Sequence, residues 1–286
     1  MFETLKNVFR VKEMRRKLLY LIWMIFIIRI GCQIPVPGVD SDFFKQWFSS
    51  NAGDAFNFFD AFTGGSFERM SIFALNITPY ITSSIIIQLL TIAIPALEEM
   101  QRDGEEGRKK MTAITRYVTV GLALFESIAM AIGFGRQGMI PDLDFFKGVV
   151  VVACLTAGSA MLMWLGERIT EKGVGNGISI VLTINIISRV PSDLALLYEN
   201  FIKGKTIAKG TLAGLIIAAV ILLVVVLVLI LNGAERRIPV QYSKKMVGRK
   251  LMGGQSTNIP LKVNTAGVIP VIFASSIMSF PAVIAQ

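Results

Sequence analysis

Residues 211–231 read TLAGLIIAAVILLVVVLVLIL, a run of twenty-one residues without a single charge or proline. Roughly 20 consecutive apolar residues in a helix span the hydrocarbon core of a bilayer, where every backbone polar group has to be satisfied inside the segment. This run meets that requirement unaided, so lipid is the solvent in which the rest of the chain is to be read. The composition agrees: the 286 residues are 53% hydrophobic and 17% charged, whereas soluble domains carry about 25% charged residues. Working outward, residues 18–34, 111–133, 148–166 and 265–284 are further apolar runs of spanning length. Two segments are unusual. Residues 71–94 are long and carry Asn76, Thr78, Pro79, Thr82, Ser83, Ser84 and Gln88, and residues 177–190 are short and end near Arg189. Polar or interrupted spans face protein or a water-filled cavity, since lipid leaves their polar groups unpaired. The expectation is an all-α polytopic helix bundle with seven spans.

Lys and Arg concentrate on the cytoplasmic side of membrane proteins. With the N-terminus inside, the inner segments hold 20 basic residues and the outer ones 8, and Arg29 lies within the first span. The assignment therefore places residues 1–17, which include Arg15, Arg16 and Lys17, in the cytoplasm. The first apolar run reaches Pro35 and Pro37 without a small-residue cleavage site and is read as a span, not a cleaved signal peptide. Two loops stand out. The outer one, 35–70, is rich in phenylalanine around Gly64 and Gly65, too apolar to stand in water uncovered. The inner one, 233–262, holds Arg236, Arg237, Lys244, Lys245, Arg249 and Lys250 against Glu235 alone.

The chain has no histidine and two cysteines, Cys32 and Cys154, both inside apolar runs. That removes the Ser-His-Asp triad, the HExxH helix and ordinary zinc sites, and the thiols read as packed small hydrophobes. Neither catalysis nor a cofactor is expected. Ile77, Ile81, Ser84 and Gln88 step by helical intervals along one face. That face suits a wet cavity narrowing to a dry constriction, but small polar residues also glue packed membrane helices together, and the pattern alone leaves both readings open. Gly173, Gly175 and Gly177 fit tight backbone turning better than phosphate binding, because no strand precedes them. Arg29 and Glu126, the ionisable residues deepest in the spans, are open to functional and structural readings. The basic inner loop fits attraction to anionic lipids or docking of an acidic partner.

Four stretches carry a family resemblance: SIFALNITPYITSSIIIQLL from residue 71, GEEGRKK at 104–110, MWLGERITEKGVGNGISI at 163–180 and NTAGVIPVIFASS at 264–276. In this order they resemble the bacterial SecY family, the central subunit of the Sec protein-conducting channel, and the similarity runs along the whole chain. The family has about ten spans in two pseudo-symmetric halves, and this sequence stops at Gln286, at the end of its seventh. A chain of that length is not expected to conduct by itself. The resemblance implies a first five-span half over 18–190 and the start of a second half over 191–286, carrying the basic loop 233–262.

It also implies roles for individual residues. The family's plug matches residues 58–70, FFDAFTGGSFERM, including Phe58, Phe59, Phe62, Gly64, Gly65, Phe67 and Arg69. Its pore ring of aliphatic side chains matches Ile77, Ile81, Leu182 and Ile272, with Ile178 one turn before Leu182. Ser84, Gln88 and Phe280 resemble positions lining the lateral gate, through which signal sequences leave the channel. The basic loop corresponds to one used by SecA and the ribosome. SecE and SecG subunits, secretory preproteins with their signal sequences, and anionic lipids are the other implied partners, in a bacterial cytoplasmic membrane. The function implied is passage of unfolded secretory polypeptides and lateral release of their hydrophobic segments into lipid. A secondary transporter of a small solute shares the hydropathy pattern, but it needs convergent polar ligands where this chain offers Ile77, Ile81, Leu182 and Ile272.

Overall fold

A computed structural model of the chain describes residues 11–51, 60–138, 140, 144–203, 207–240, 245–247, 250–252, 257–265, 267 and 274. It divides into two compact units, Met1–Ser192 with Ile272–Gln286, and Asp193–Val271.

The first unit is helical. Helix α1 (Lys12–Gly31) packs on α6 (Phe145–Lys172) through Met24, Ile28 and Gly31. Its apolar part is short, since Lys12, Arg15, Arg16 and Lys17 fill the first turns and Arg29 the last. A short outer helix, α2 (Ser41–Asn51), follows. Helices α3 (Thr78–Ala93) and α4 (Pro95–Arg102) are bent by 104° at Ile94. Pro95 explains the bend: it cannot donate a helical hydrogen bond, and it forces the residue before it out of the helical region. Ile94 accordingly lies at φ −113° and ψ 110°. Helix α5 (Gly104–Arg136) packs along α3, α4 and α6. A glycine-containing turn then joins α6 to α7 (Gly177–Phe201), which belongs to this unit through Ser192. The turn is held where the Gly177 N–H donates to Thr170 Oγ1 at 2.8 Å, in keeping with the turning role expected of Gly173, Gly175 and Gly177.

The unusual span at 71–94 is not one helix. Residues 71–77 form consecutive turns, with Met70 at φ 44° and Asn76 at φ 52°, and the helix starts only at Thr78. Pro79 therefore sits in the first helical turn, where its missing N–H costs nothing because that N–H has no intrahelical partner. Residues 71–77 are nonetheless almost wholly buried. They run back beside the end of α1, with an isolated bridge between Pro35 and Ser71 and a bond from the Ile72 N–H to the Ile34 carbonyl of 3.0 Å.

Ser83 joins α3 to α5. Its buried hydroxyl donates to the Thr115 carbonyl oxygen at 2.9 Å, and Thr156 bonds Ser127 across α5 and α6 at 3.1 Å. Close backbone approach does the rest: a Cβ on Gly158 of α6 would lie 2.0 Å from the Ile72 carbonyl oxygen.

The second unit holds α8 (Ile207–Gly233), whose side chains from Leu212 to Leu231 are largely exposed, as a lipid-facing span requires. The inner loop is not a bare loop. Strand β1 (Glu235–Val240) pairs antiparallel with β4 (Thr257–Lys262), and β2 (Lys245–Val247) pairs with β3 (Lys250–Met252). Within a mostly helical chain, this part forms β-ribbons. Pro239 and Pro260 tolerate the strands because each ribbon has only two, so every strand is an edge with one side unpaired. Among the described residues, α5, α6, α7 and residues 209–233 of α8 are long and apolar enough to cross a bilayer, and the bent pair α3–α4 makes a fifth candidate.

Candidate functional site

The first unit builds an unusual object beside the middle of α7. Four residues of this helix, Gly177, Val181, Asn185 and Arg189, recur every fourth position and so lie in one stripe. Gly177 lets α7 touch the α6 backbone, where a Cβ would meet the Gly166 carbonyl oxygen at 2.0 Å. Val181 is buried among Ile28, Phe73, Ile77, Leu162 and Ile169. Asn185 and Arg189 then meet the two outer segments, 60–70 and 71–77.

Segment 60–70 is organised around the carboxylate of Asp60, which is completely buried. Asp60 Oδ1 accepts from the Glu68 N–H at 2.9 Å and from Thr63 Oγ1 at 3.1 Å. The other oxygen faces Arg189 Nη1 in an ion pair, and Glu68 Oε2 lies 3.6 Å from the same guanidinium nitrogen. A wholly buried carboxylate is expensive without such partners, which is why the segment curls around this one group. Phe67, Phe44 and Phe134 close the other side with edge-to-face ring contacts, at centroid distances of 5.8 Å (Phe44–Phe67) and 5.1 Å (Phe44–Phe134).

Asn76 ties the two segments and α7 together. Its Nδ2 donates to the Phe62 carbonyl at 2.9 Å, its Oδ1 accepts from Asn185 Nδ2 at 3.1 Å, and its own carbonyl accepts from Ser159 Oγ at 3.3 Å. Asparagine is among the few residues other than glycine that tolerate positive φ, and here that conformation aims its amide both ways. Gly64 completes the seat at φ 67°, where a Cβ would stand 2.6 Å from the Asn185 carbonyl oxygen. Among the described residues, no group of three His, Cys, Asp or Glu side chains could hold a metal. The arrangement is a mechanical fitting, a short buried segment clamped over the start of α3 and the middle of α7.

A sequence model of the SecY family matches residues 71–286. Protein translocase subunit SecY from Halalkalibacterium halodurans is 44% identical over 293 residues, covering 100% of this chain and 67% of its own length. The chain belongs to the SecY family. The same subunit from Streptomyces galbus is 44% identical over 301 residues, with the same two coverages. Solved structures show the SecY-type fold. A protein-conducting channel aligns with TM-score 0.62 at 19% identity, covering 94% of this chain and 57% of that one. A SecY whose plug domain is described as stabilising the closed state and maintaining a membrane seal aligns with TM-score 0.60 at 20% identity, covering 94% and 57%. Sec61 from the canine ribosome–channel complex of the endoplasmic reticulum gives 0.60 at 19% identity, with 94% and 58%. The chain thus spans about two thirds of the SecY relatives it matches and under three fifths of the solved chains.

Of the SecY plug positions expected from the sequence, Phe62, Gly64, Gly65 and Phe67 lie in the clamped segment, while Arg69 is exposed and bonds Gln33. Phe58 and Phe59 lie outside the described residues. Of the ring positions, Ile77 is fully buried at the start of α3, and Ile81 and Ile178 pack half-buried against the same cluster. Leu182 is half-buried one turn beyond Ile178. Ile81 and Ser84, with exposed Gln88, form the flank of α3 beside its buried stripe of Pro79, Ser83, Ile87 and Thr91. Ile178 and Leu182 stand likewise beside the buried stripe of α7. Ile272 and Phe280 lie outside the described residues, as do Lys244 and Arg249. Arg236 and Arg237 are exposed in β1, and Lys245 and Lys250 fall in β2 and β3. Sequence reading passed over Asp60, Glu68, Asn76, Asn185 and Arg189 as a set. Their common signal was present all the same, in polar side chains lodged within otherwise apolar runs.

Proposed function

We propose that this chain forms the pore-lining portion of a protein translocation channel, in which segment 58–70 is the plug and Ile77, Ile81, Ile178, Leu182 and Ile272 contribute to the constriction. The observation that carries the reading is the clamping of residues 60–70 against Asn76 and Asn185, each within a few residues of a ring position on α3 or α7. An apolar, deformable constriction suits the task. Branched side chains seal against ions by dewetting and part for a polypeptide, whereas fixed charges would bind the passing chain and admit ions. Hydrophobic segments of the substrate leave sideways because Leu and Ile favour lipid, while a central Lys or Asp costs about 2.5–3.5 kcal/mol. Ser84, Gln88 and Phe280 line the exit in this reading, and the half-exposed flank of α3 supports the first two.

Driving force comes from partners. SecA or a ribosome docks on the basic ribbon, where exposed Arg236 and Arg237 support the assignment, with Lys244, Lys245, Arg249 and Lys250 adding charge. SecE and SecG complete the channel, secretory preproteins with their signal sequences are its substrates, and anionic lipids attend its inner face. The location is a bacterial cytoplasmic membrane with the N-terminus inside, supported by the excess of Lys and Arg in the inner segments.

The test is conductance. In a complete channel complex in planar bilayers, replacing Ile81 and Ile272 together by Ser should raise the resting ion leak. Unchanged conductance would remove these residues from the constriction.

A further inference from the structure

The inference rests on the plug reading of residues 58–70. We propose that Arg189 is a positioning residue of the seal, an electrostatic latch that holds the plug shut through Asp60 and Glu68 and is loosened by salt.

Three observations on different elements converge here. Asp60 is wholly buried and accepts two hydrogen bonds on one oxygen, so its second oxygen and its charge depend on the guanidinium opposite. Glu68, 37% exposed at its side chain, approaches the same nitrogen at 3.6 Å from the far end of the plug turn. One cation thus closes both ends of the segment. Arg189 in turn sits two residues before Pro191, which lies inside α7 and cannot donate to the carbonyl four residues back. The latch is therefore mounted where the helical ladder is already interrupted, beside the bond from Ser192 Oγ to the Arg189 carbonyl at 2.7 Å.

The chemistry makes this contact different from the neighbouring ones. The bonds of Asn76, Asn185 and Ser159 are neutral, and the Phe67 cluster is apolar, so neither responds to ionic strength. Displacing the plug exposes an Asp, a Glu and an Arg together. Dissolved ions stabilise those separated charges far more than the buried pair, because screening acts mainly on exposed groups. Added salt should then favour the displaced plug. The apolar ring has no such dependence, which separates the latch from the constriction.

The measurement is the frequency of resting openings, not their amplitude, for the complete channel complex in planar bilayers at low and high KCl. The wild-type channel should open more often as salt rises. Arg189→Gln should open about tenfold more often or more at low salt, as expected when a buried carboxylate loses its counter-charge, and should lose most of the salt response. Glu68→Gln should have a smaller effect of the same sign. Asp60→Asn with Arg189→Gln, which leaves no buried charge, should open less often than Arg189→Gln alone. Deletion of residues 60–70 tests the plug reading separately. Openings unchanged by that deletion would overturn the plug assignment. Openings raised by the deletion but not by Arg189→Gln would overturn the latch and leave the plug standing. A double variant that leaks like Arg189→Gln would show that the pairing is not electrostatic.

Discussion

Gly64→Ala puts the seating of segment 60–70 under a quantitative test, because its neighbour supplies the control. Both Gly64 and Gly65 have positive φ, 67° and 81°, so a side chain at either position strains the backbone by roughly 1–2 kcal/mol. The two differ in what surrounds them. A Cβ at Gly65 meets nothing within 4 Å, whereas one at Gly64 lies 2.6 Å from the Asn185 carbonyl oxygen and 3.0 Å from its Cα and carbonyl carbon. Ordinary contact starts near 3.4 Å, and the obstacle is helix backbone, which cannot rotate away as a side chain can. Segment 60–70 must lift off α7, and overpacking of this kind costs about 1–3 kcal/mol. At 1.4 kcal/mol per factor of ten, Gly64→Ala should populate the displaced segment about tenfold more than Gly65→Ala does. Two readings check it in the complete complex: resting opening frequency in planar bilayers, and hydrogen exchange of the amides of Phe67 and Glu68, whose N–H groups bond Thr63 and Asp60 in the seated state. Equal behaviour of the two variants would refute the close approach of residue 64 to α7.

Other expectations follow from single contacts. Gly158→Ala places a methyl group 2.0 Å from the Ile72 carbonyl oxygen and should destabilise the detergent-solubilised complex by about 1–3 kcal/mol, read as a lower thermal unfolding temperature, while Gly148→Ala, with nothing within 4 Å, should not. Reversal of Arg236, Arg237, Lys244 and Lys245 to Glu should weaken binding of SecA or the ribosome in a sedimentation assay, with a flatter salt dependence; full binding would reassign the ribbon's charge to lipid contact.

Much of the architecture was legible beforehand because its cause is local. A run such as 211–231 has no alternative to a helix in lipid, and the helices α5, α6 and α8 fall where apolar runs of spanning length predict them. The long motif at 71–94 misled in one respect. Apolar content says that a segment is buried, not that it is helical, and residues 71–77 are buried with backbone groups that bond within the segment and to Ile34, Ser66 and Ser159. The inner basic segment was legible as charge and not as strand, since ladder partners twenty residues apart leave no periodic mark on a short stretch containing Pro239 and Pro260.

What the sequence by itself determined is the solvent, the approximate spans and the family, since each depends on composition or on contiguous residues. Tertiary structure alone decided that Asp60 meets Arg189 and that Asn76 meets Asn185, contacts between residues more than a hundred positions apart. Such pairs depend on which faces of α3, α6 and α7 turn toward each other, and helix facing is fixed by close approaches such as Gly158 on Ile72 and Gly177 on Gly166, which become visible only once the helices are packed.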